Sequence, residues 1–325
     1  MTHKRLTTVT AICMISCFLD AAPLHAQVEK LPPYLQDTLA QFGPRYQSDS
    51  VSAFAATVDA FQSLLKAAPK DGVLIARDQA YGPDPRQILD VYQPTARSGA
   101  PVVIFVHGGA YVAGNKDVGE HYGNVATWFA RQGMLGINAT YRLAPAARWP
   151  AGAEDVRGMV TWAKTNALRY GGDPNRIFLM GHSAGATHVS AYIFDKALQP
   201  AQGPGVAGAV LISGRYRLVY DPADPFGRNM QAYFGEDPSQ YKSRSTINHI
   251  RDGVRIPVFL VITEYEQPGL DVFGAELLSA LCERDGACPR FVRLNGHNHI
   301  SEVLAFNTPD EYLGHEILDF IARGR

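Results

Sequence analysis

The chain predicts an α/β fold in which helices cover both faces of a mostly parallel sheet. From residue 101 onward, short apolar stretches with strand character alternate with longer stretches whose apolar residues recur at helical spacing. This alternating order is typical of parallel sheets. The first of these strands, at residues 102–106, is a continuous apolar run. Such a run is expected where helices cover both faces of a strand.

The individual elements follow from the same periodicities. Residues 51–66 have helical spacing, and residues 73–81 and 87–92 alternate like antiparallel strands joined by a Gly-Pro-Asp-Pro turn. After the strand at 102–106, further strands are predicted at residues 134–139, 176–180, 206–213, 258–263 and 290–294. Helices are predicted at residues 122–132, 153–170, 184–196, 270–284 and 310–322.

Residues 214–256 interrupt the alternation with an aromatic-rich insertion. Its aromatic residues stand among prolines and charges, and they include Tyr216, Tyr220, Phe226, Tyr233, Phe234 and Tyr241. An insertion of this kind either covers a functional site or packs on the surface. The sequence leaves both interpretations open, and it does not say whether the segment is a mobile lid.

The N-terminus has the features of a signal peptide. Lys4 and Arg5 precede a mostly apolar stretch at residues 6–19, and the small-residue site Leu24-His25-Ala26 follows. We therefore expect cleavage after residue 26 and export to the periplasm or the cell exterior, although a frayed apolar terminus is the alternative. No later segment approaches the length of a membrane span, so we expect no stable membrane insertion.

Composition and cysteine content narrow the classes further. The chain of 325 residues is long enough for one large domain, and its composition of 46% hydrophobic and 19% charged residues is typical of globular proteins. The net charge of −1 does not indicate a nucleic-acid partner. Cys282 and Cys288 flank a polar turn and could form a disulfide in an oxidising compartment. The alternative is two free thiols. Two cysteines without clustered histidines do not make a metal site.

The chain carries a candidate nucleophile at the end of a predicted strand. Gly181-His182-Ser183-Ala184-Gly185 stands between the apolar strand and the start of a helix. A serine on such a sharp turn is exposed above the sheet, and glycines at both ends permit a tight turn. The N-terminus of the helix favours negative charge near the serine. A structural Ser-Gly turn is the alternative.

A glycine pair after the first buried strand is a candidate oxyanion hole. His107-Gly108-Gly109-Ala110 could turn backbone N–H groups towards a ligand, and acyl transfer requires such donors for the developing oxyanion. The expected donors are the N–H groups of Gly109, Ala110 and Ala184, the residue after the serine. His107 is better suited to an orienting role than to a base. A simple strand-end turn remains possible.

The base and the acid are expected late in the chain, in the order serine, acid, histidine. His297 and His299 both follow the last predicted strand, and we favour His299. Glu264, Glu266 and Asp271 share one loop after the preceding strand, and we favour Glu266 as the group that orients the imidazole. Asp271 could instead cap the next helix.

The combined motifs resemble the hormone-sensitive-lipase-like carboxylesterases of the α/β-hydrolase superfamily over residues 85–325. The matching residues are 107–111, 141–145, 149–151, 154–155 and 181–185. The resemblance implies an eight-stranded sheet, no metal or organic cofactor, and structural roles for Arg142 and Asp155. Two departures stand out. Glu266 occupies the place of the family's acidic aspartate, with one extra residue before Pro268, and Ala110 replaces a glycine.

These expectations give three segments and one leading function. Residues 1–26 would be a signal peptide, 27–72 a helical cap segment and 73–325 an α/β-hydrolase catalytic domain. The resemblance implies hydrolysis of small-molecule carboxylic esters through an acyl-enzyme. An amidase or arylformamidase, or a feruloyl or acetyl-xylan esterase, would use the same triad, and a non-catalytic binding protein is a remote alternative. The sequence does not indicate acyl or alcohol preference, nor oligomeric state.

Overall fold

Eight strands form one sheet through the centre of the molecule. The computed structural model describes residues 30–95, 98–117 and 120–324, so the predicted signal peptide lies outside the described residues. The strands are β1 Val73–Ala80, β2 Ile88–Pro94, β3 Ala100–Val106, β4 Leu135–Ala139, β5 Gly172–His182, β6 Gly208–Ile212, β7 Val258–Tyr265 and β8 Arg290–Asn298. Their spatial order is β1-β2-β4-β3-β5-β6-β7-β8.

The sheet is antiparallel at one edge and parallel elsewhere. β2 pairs antiparallel with β1 and β4, and every pairing from β4 to β8 is parallel. The predicted α/β class with a mostly parallel eight-stranded sheet is therefore confirmed. Since β3, β5, β7 and β8 run parallel, their carboxyl ends meet at one edge, where ligands bind in folds of this type.

Helices cover both faces of the sheet. They are α1 Pro33–Phe42, α2 Ser50–Ala67, α3 Gly123–Arg131, α4 Ala151–Asn166, α5 Ala184–Phe194, α6 Gly227–Phe234, α7 Tyr241–Arg244, α8 Leu270–Asp285, α9 Ser301–Leu304 and α10 Tyr312–Arg323. Buried residues of α4, α5 and α8 share one core cluster, and those of α1, α2, α3 and α10 share another.

The strands feed both cores alternately, which explains their continuous apolar runs. In β3, Val102 and Ile104 belong to the first core, whereas Val103 and Phe105 belong to the second. Successive side chains of a strand point to opposite faces, so a strand covered on both sides needs an apolar residue at every position.

Two strands, β5 and β8, differ most in length from the prediction. β5 begins at Gly172, four residues before the predicted start, and β8 continues to Asn298, four residues beyond the predicted end. The extra part of β8 is Asn295-Gly296-His297-Asn298, which has no apolar pattern to mark it as a strand. Its pairing with β7 resumes after a register shift, with Tyr265 opposite Asn298.

The cysteine pair and the aromatic-rich insertion both lie among the described residues. Cys282 of α8 and Cys288 before β8 are joined by a disulfide, with 4.1 Å between their Cα atoms. The insertion at residues 214–256 contains α6 and α7 and buries Tyr233, Phe234 and Tyr241 against Tyr111 and Ala184. Within the described part of the chain, no helix is both long and apolar enough to cross a bilayer.

Candidate active site

Ser183 occupies the turn between β5 and α5. Its backbone has φ 55° and ψ −122°. Residues other than glycine rarely adopt this conformation, and those that do are concentrated at functional sites. The flanking glycines are required by close approach: a Cβ on Gly185 would lie 2.1 Å from the Val106 carbonyl oxygen, and one on Gly181 would lie 2.6 Å from that of Gly185. The turn therefore holds the serine at the carboxyl edge of the sheet.

Three side chains from separate strand ends form a hydrogen-bonded relay. The Nε2 atom of His299 lies 3.0 Å from the Ser183 Oγ, and its Nδ1 lies 2.9 Å from Oε2 of Glu266. His299 is the first residue after β8, and Glu266 is the first after β7. The parallel sheet thus brings together residues more than 100 positions apart in the chain.

The alternatives that the sequence left open lie elsewhere. His297 contacts Asp310 Oδ2 at 2.9 Å through Nε2 and Ser301 Oγ at 3.0 Å through Nδ1. The Glu264 carboxylate accepts the N–H of Gly296 at 2.7 Å. Asp271 lies in the first turn of α8, whose N-cap is Gly269, so the suggested capping role is not seen either. The structure brings Ser183 together with His299 and Glu266 rather than with these neighbours.

Glu266 is a buried carboxylate surrounded by donors. It is 1% exposed and accepts hydrogen bonds from His299 Nδ1, from the Ser213 hydroxyl and from the Thr263 N–H at 2.9 Å. Burial alone would raise its pKa, but the hydrogen bonds from these three groups and the nearby imidazole hold the pKa below its usual value. Glu266 is therefore ionised at neutral pH and fixes the proton of His299 on Nδ1.

Sequence reasoning missed two residues behind this relay, Ser213 and Glu302. Ser213 follows β6 with φ 50°, and its Oγ contacts both Glu266 and Glu302, the latter at 3.0 Å. Glu302 is 1% exposed and lies in α9, three residues after His299. An acid one helical turn from a candidate histidine was the only available signal, and nothing in the sequence connects it with Ser213.

The loop after β3 has the conformation expected of a donor loop. Gly109, Ala110 and Tyr111 all have positive φ, at 132°, 47° and 71°. His107 supports this loop: its Nδ1–H donates to the Gly108 carbonyl at 2.6 Å, and its ring stacks on that of Tyr141, with centroids 4.3 Å apart. Burial lowers the pKa of His107 to about 4, so it is neutral and suited to the orienting role.

Replacing Gly109 with alanine is expected to destabilise the fold by at least ~2 kcal/mol and to impair the site. An added Cβ would lie 2.0 Å from the Ala113 carbonyl oxygen, so the loop would have to move. Chemical unfolding measures the loss. Gly203→Ala is the matched control, because Gly203 also has a positive φ, 90°, but no atom lies within 4 Å of the added Cβ. Equal effects of the two substitutions would contradict the steric explanation.

A cavity of about 270 Å³ opens in front of Ser183. Gly109, Ala110 and His299 line it beside the serine. Its other walls are largely apolar and come from α2, from the loop after β3 and from the insertion; they include Val51, Phe54, Val112, Tyr122 and Phe226. Helix α2 therefore borders the cleft as well as covering the core, and the insertion covers part of the site.

Sequence comparisons find similarity to esterases. The family model BD-FAE matches residues 89–194. Esterase LipC of Mycobacterium tuberculosis is 38% identical over 42% of this chain and 36% of its own length. Esterase LipQ of the same organism is 28% identical over 75% of this chain and 61% of its own length. The isoprenylcysteine alpha-carbonyl methylesterase ICME of Arabidopsis thaliana is 29% identical over 59% of this chain and 41% of its own length. The chain thus spans between about a third and three fifths of these relatives.

Solved structures agree on the fold. Esterase B of Lactobacillus Rhamnosis superposes with a TM-score of 0.68 at 18% identity, covering 89% of this chain and 96% of that one. A bacterial heroin esterase superposes with a TM-score of 0.67 at 23% identity, covering 91% and 98%. At this level of identity the likeness defines the fold alone. The family model and the esterase relatives, together with this shared fold, confirm the resemblance that the motifs indicated.

Proposed function

We propose that this chain is a serine carboxylesterase that hydrolyses small-molecule carboxylic esters through an acyl-enzyme, with Ser183, His299 and Glu266 as its triad. The observation that carries the proposal is the continuous relay from Ser183 Oγ through the imidazole of His299 to the Glu266 carboxylate, at 3.0 and 2.9 Å. This is the arrangement in which a base activates a hydroxyl while an acid orients the base. The esterase relatives support the same reaction class.

The proposed reaction has two steps. Ser183 Oγ attacks the ester carbonyl while His299 Nε2 takes its proton, and the imidazolium then protonates the departing alcohol. In the second step His299 takes a proton from water, and the resulting hydroxide attacks the acyl-serine. The imidazolium returns this proton to Ser183 Oγ as the bond to the acyl group breaks, and the carboxylic acid is released. Glu266 stays ionised throughout and stabilises the imidazolium.

The proposed oxyanion donors are the N–H groups of Gly109, Ala110 and Ala184. Gly109 and Ala110 line the cavity beside Ser183. Ala184 is the first residue of α5, and N–H groups in a first helical turn have no partner within the helix. Donors fixed by the backbone need not reorganise as the oxyanion forms, which is why such sites lower the barrier.

The surroundings of Ser183 favour an ester with an apolar group. The cavity of about 270 Å³ has Val51, Phe54 and Phe226 among its walls.

We also propose that the chain is exported and that residues 1–26 are removed. The Cys282–Cys288 disulfide supports an oxidising compartment, since such bonds are rare in the cytosol.

The decisive experiment traps the intermediate and compares substrates. Rapid quenching after mixing with p-nitrophenyl acetate, followed by peptide mass spectrometry, should find the acetyl group on Ser183. Initial rates should be higher for p-nitrophenyl acetate and octanoate than for the matching aryl amide. Faster cleavage of the amide would favour an amidase, and a preference for a feruloyl ester would shift the substrate class. No turnover and no adduct would leave a binding protein.

A further inference from the structure

A second buried glutamate, Glu302, lies behind Glu266 of the proposed triad, and one hydroxyl joins the two. Ser213 Oγ contacts Oε1 of Glu266 on one side and Oε2 of Glu302 on the other, the latter at 3.0 Å. The other oxygen of Glu302 lies 3.9 Å from His299 Nδ1, which Glu266 already occupies. Glu302 therefore approaches the histidine without being its hydrogen-bond partner.

The groups around this pair offer almost no positive charge. In the described residues, neither Glu266 nor Glu302 pairs with a lysine or arginine. The facing titratable groups are His182, His299, Tyr46 and Tyr216. Burial raises the pKa of both tyrosines, so they stay neutral. Only the imidazolium that forms transiently on His299 could balance a carboxylate.

His182 does not supply a second cation. Its Nε2 lies 2.7 Å from the His299 carbonyl oxygen, which can only accept, so Nε2 carries a proton. Burial and the neighbouring His299 lower the pKa of His182 well below its usual value, so the other nitrogen is unprotonated. The pocket thus accommodates one carboxylate at low cost, whereas a second unpaired buried charge would be strongly unfavourable.

We propose that Glu302 is held as a neutral carboxylic acid that donates its proton to Ser213 Oγ, turns the Ser213 hydroxyl onto Glu266, and so positions the triad. A hydroxyl has one proton to give, so Ser213 can donate to only one of the two carboxyl groups. Glu266 already accepts from His299 and from the Thr263 N–H. The chain of donors therefore runs from Glu302 through Ser213 to Glu266.

The protonation state of Glu302 affects the charge that His299 faces. If Glu302 were ionised, its carboxylate 3.9 Å from Nδ1 would add to the stabilisation of the imidazolium. A neutral Glu302 lends a donor to the network and leaves Glu266 as the single charge. Burial, with the Glu266 charge second, raises the pKa of Glu302 well above its usual value, in agreement with this arrangement. Glu302 is thus a positioning residue, and its effect on turnover rests on the proposed function.

The protonation state can be tested without any activity. A carboxyl whose pKa is raised by folding stabilises the protein fully below its unfolded pKa, and this contribution is lost progressively as the pH rises towards the folded pKa. Glu302→Gln keeps a neutral donor and has no proton to lose. The Tm of this variant minus that of the wild type should therefore increase from about pH 5 to about pH 8. A difference independent of pH would overturn the proposal.

Infrared spectroscopy gives a direct second readout. In D₂O at neutral pH, the wild-type-minus-Glu302→Gln difference spectrum should contain the C=O band of a protonated carboxylic acid. A carboxylate band in its place would show that Glu302 is ionised. Neither spectrum nor Tm depends on catalysis, so both measurements decide the proposal even if the protein proves inert towards esters.

The kinetic arms test the positioning role. Glu302→Ala leaves Ser213 without its donor, so kcat should fall by about 10- to 100-fold with little change in KM. Glu302→Gln restores the donor and should recover most of that loss. Its acidic pKa in the kcat/KM profile should match the wild type. A shift of that pKa to lower pH in Glu302→Gln would mean that a negative charge had been removed, and the neutral acid would be ruled out.

Discussion

Replacement of Ser183 with alanine is expected to lower turnover of p-nitrophenyl acetate by about 10⁵- to 10⁶-fold. The substitution removes the hydroxyl whose oxygen lies 3.0 Å from His299 Nε2, so the imidazole has no nucleophile from which to take a proton. What remains is the polarising effect of the donor loop, which in comparable sites gives about 10³- to 10⁴-fold over water. Labelling by a fluorophosphonate probe should disappear at the same time.

The matched control for this variant is Ser279→Ala. Ser279 is exposed on α8, so its replacement should change neither turnover nor labelling. Thermal unfolding shows whether each variant is folded. Ser183 lies in a strained turn, so a Tm of Ser183→Ala equal to or above that of the wild type would show that the backbone of this turn stays in place. Wild-type-like turnover by folded Ser183→Ala would remove the serine from the proposed mechanism.

The order of the elements could be predicted from the sequence because a parallel sheet marks it strongly. Strands buried on both faces are continuous apolar runs, as in residues 102–106, and the intervening helices have a clear period. The ends of the strands are harder to predict from the sequence. The last four residues of β8 are polar and pair with β7 only across a register shift, so their strand conformation depends on tertiary contacts that the local pattern does not contain.

The residues of the site also divide into those with a local sequence signature and those without one. Ser183 and the Gly108-Gly109 pair have local signatures, because a sharp turn and a donor loop both require glycine at fixed positions. Glu302 and Ser213 have none. Ser213 directly follows a strand and Glu302 lies in a four-residue helix, and only the folded sheet places the two 3.0 Å apart. A buried polar network can be inferred from sequence only where its members are close along the chain.

Replacement of His299 with alanine is expected to match Ser183→Ala, with a loss of about 10⁵- to 10⁶-fold in kcat. Serine and base act as one unit, so the hydroxyl without its proton acceptor is a poor nucleophile at neutral pH. Fluorophosphonate labelling should therefore fall as well, although Ser183 is still present. Initial rates measured at several pH values should show that the residual activity has lost the acidic limb of the wild-type pH profile.

His297→Gln is the matched control, and it addresses the ambiguity that the sequence left. The glutamine amide can still donate to Asp310, and His297 lies within β8, so its ring is fixed by the sheet and by contacts at 2.9 and 3.0 Å. His299 is the first residue beyond the strand, where the chain turns towards Ser183. We expect His297→Gln to keep most of the turnover and the labelling. If folded His297→Gln were instead as inactive as His299→Ala, the assignment of His299 as the base would be wrong. The position of a histidine inside β8 or just past its end would then not identify the base.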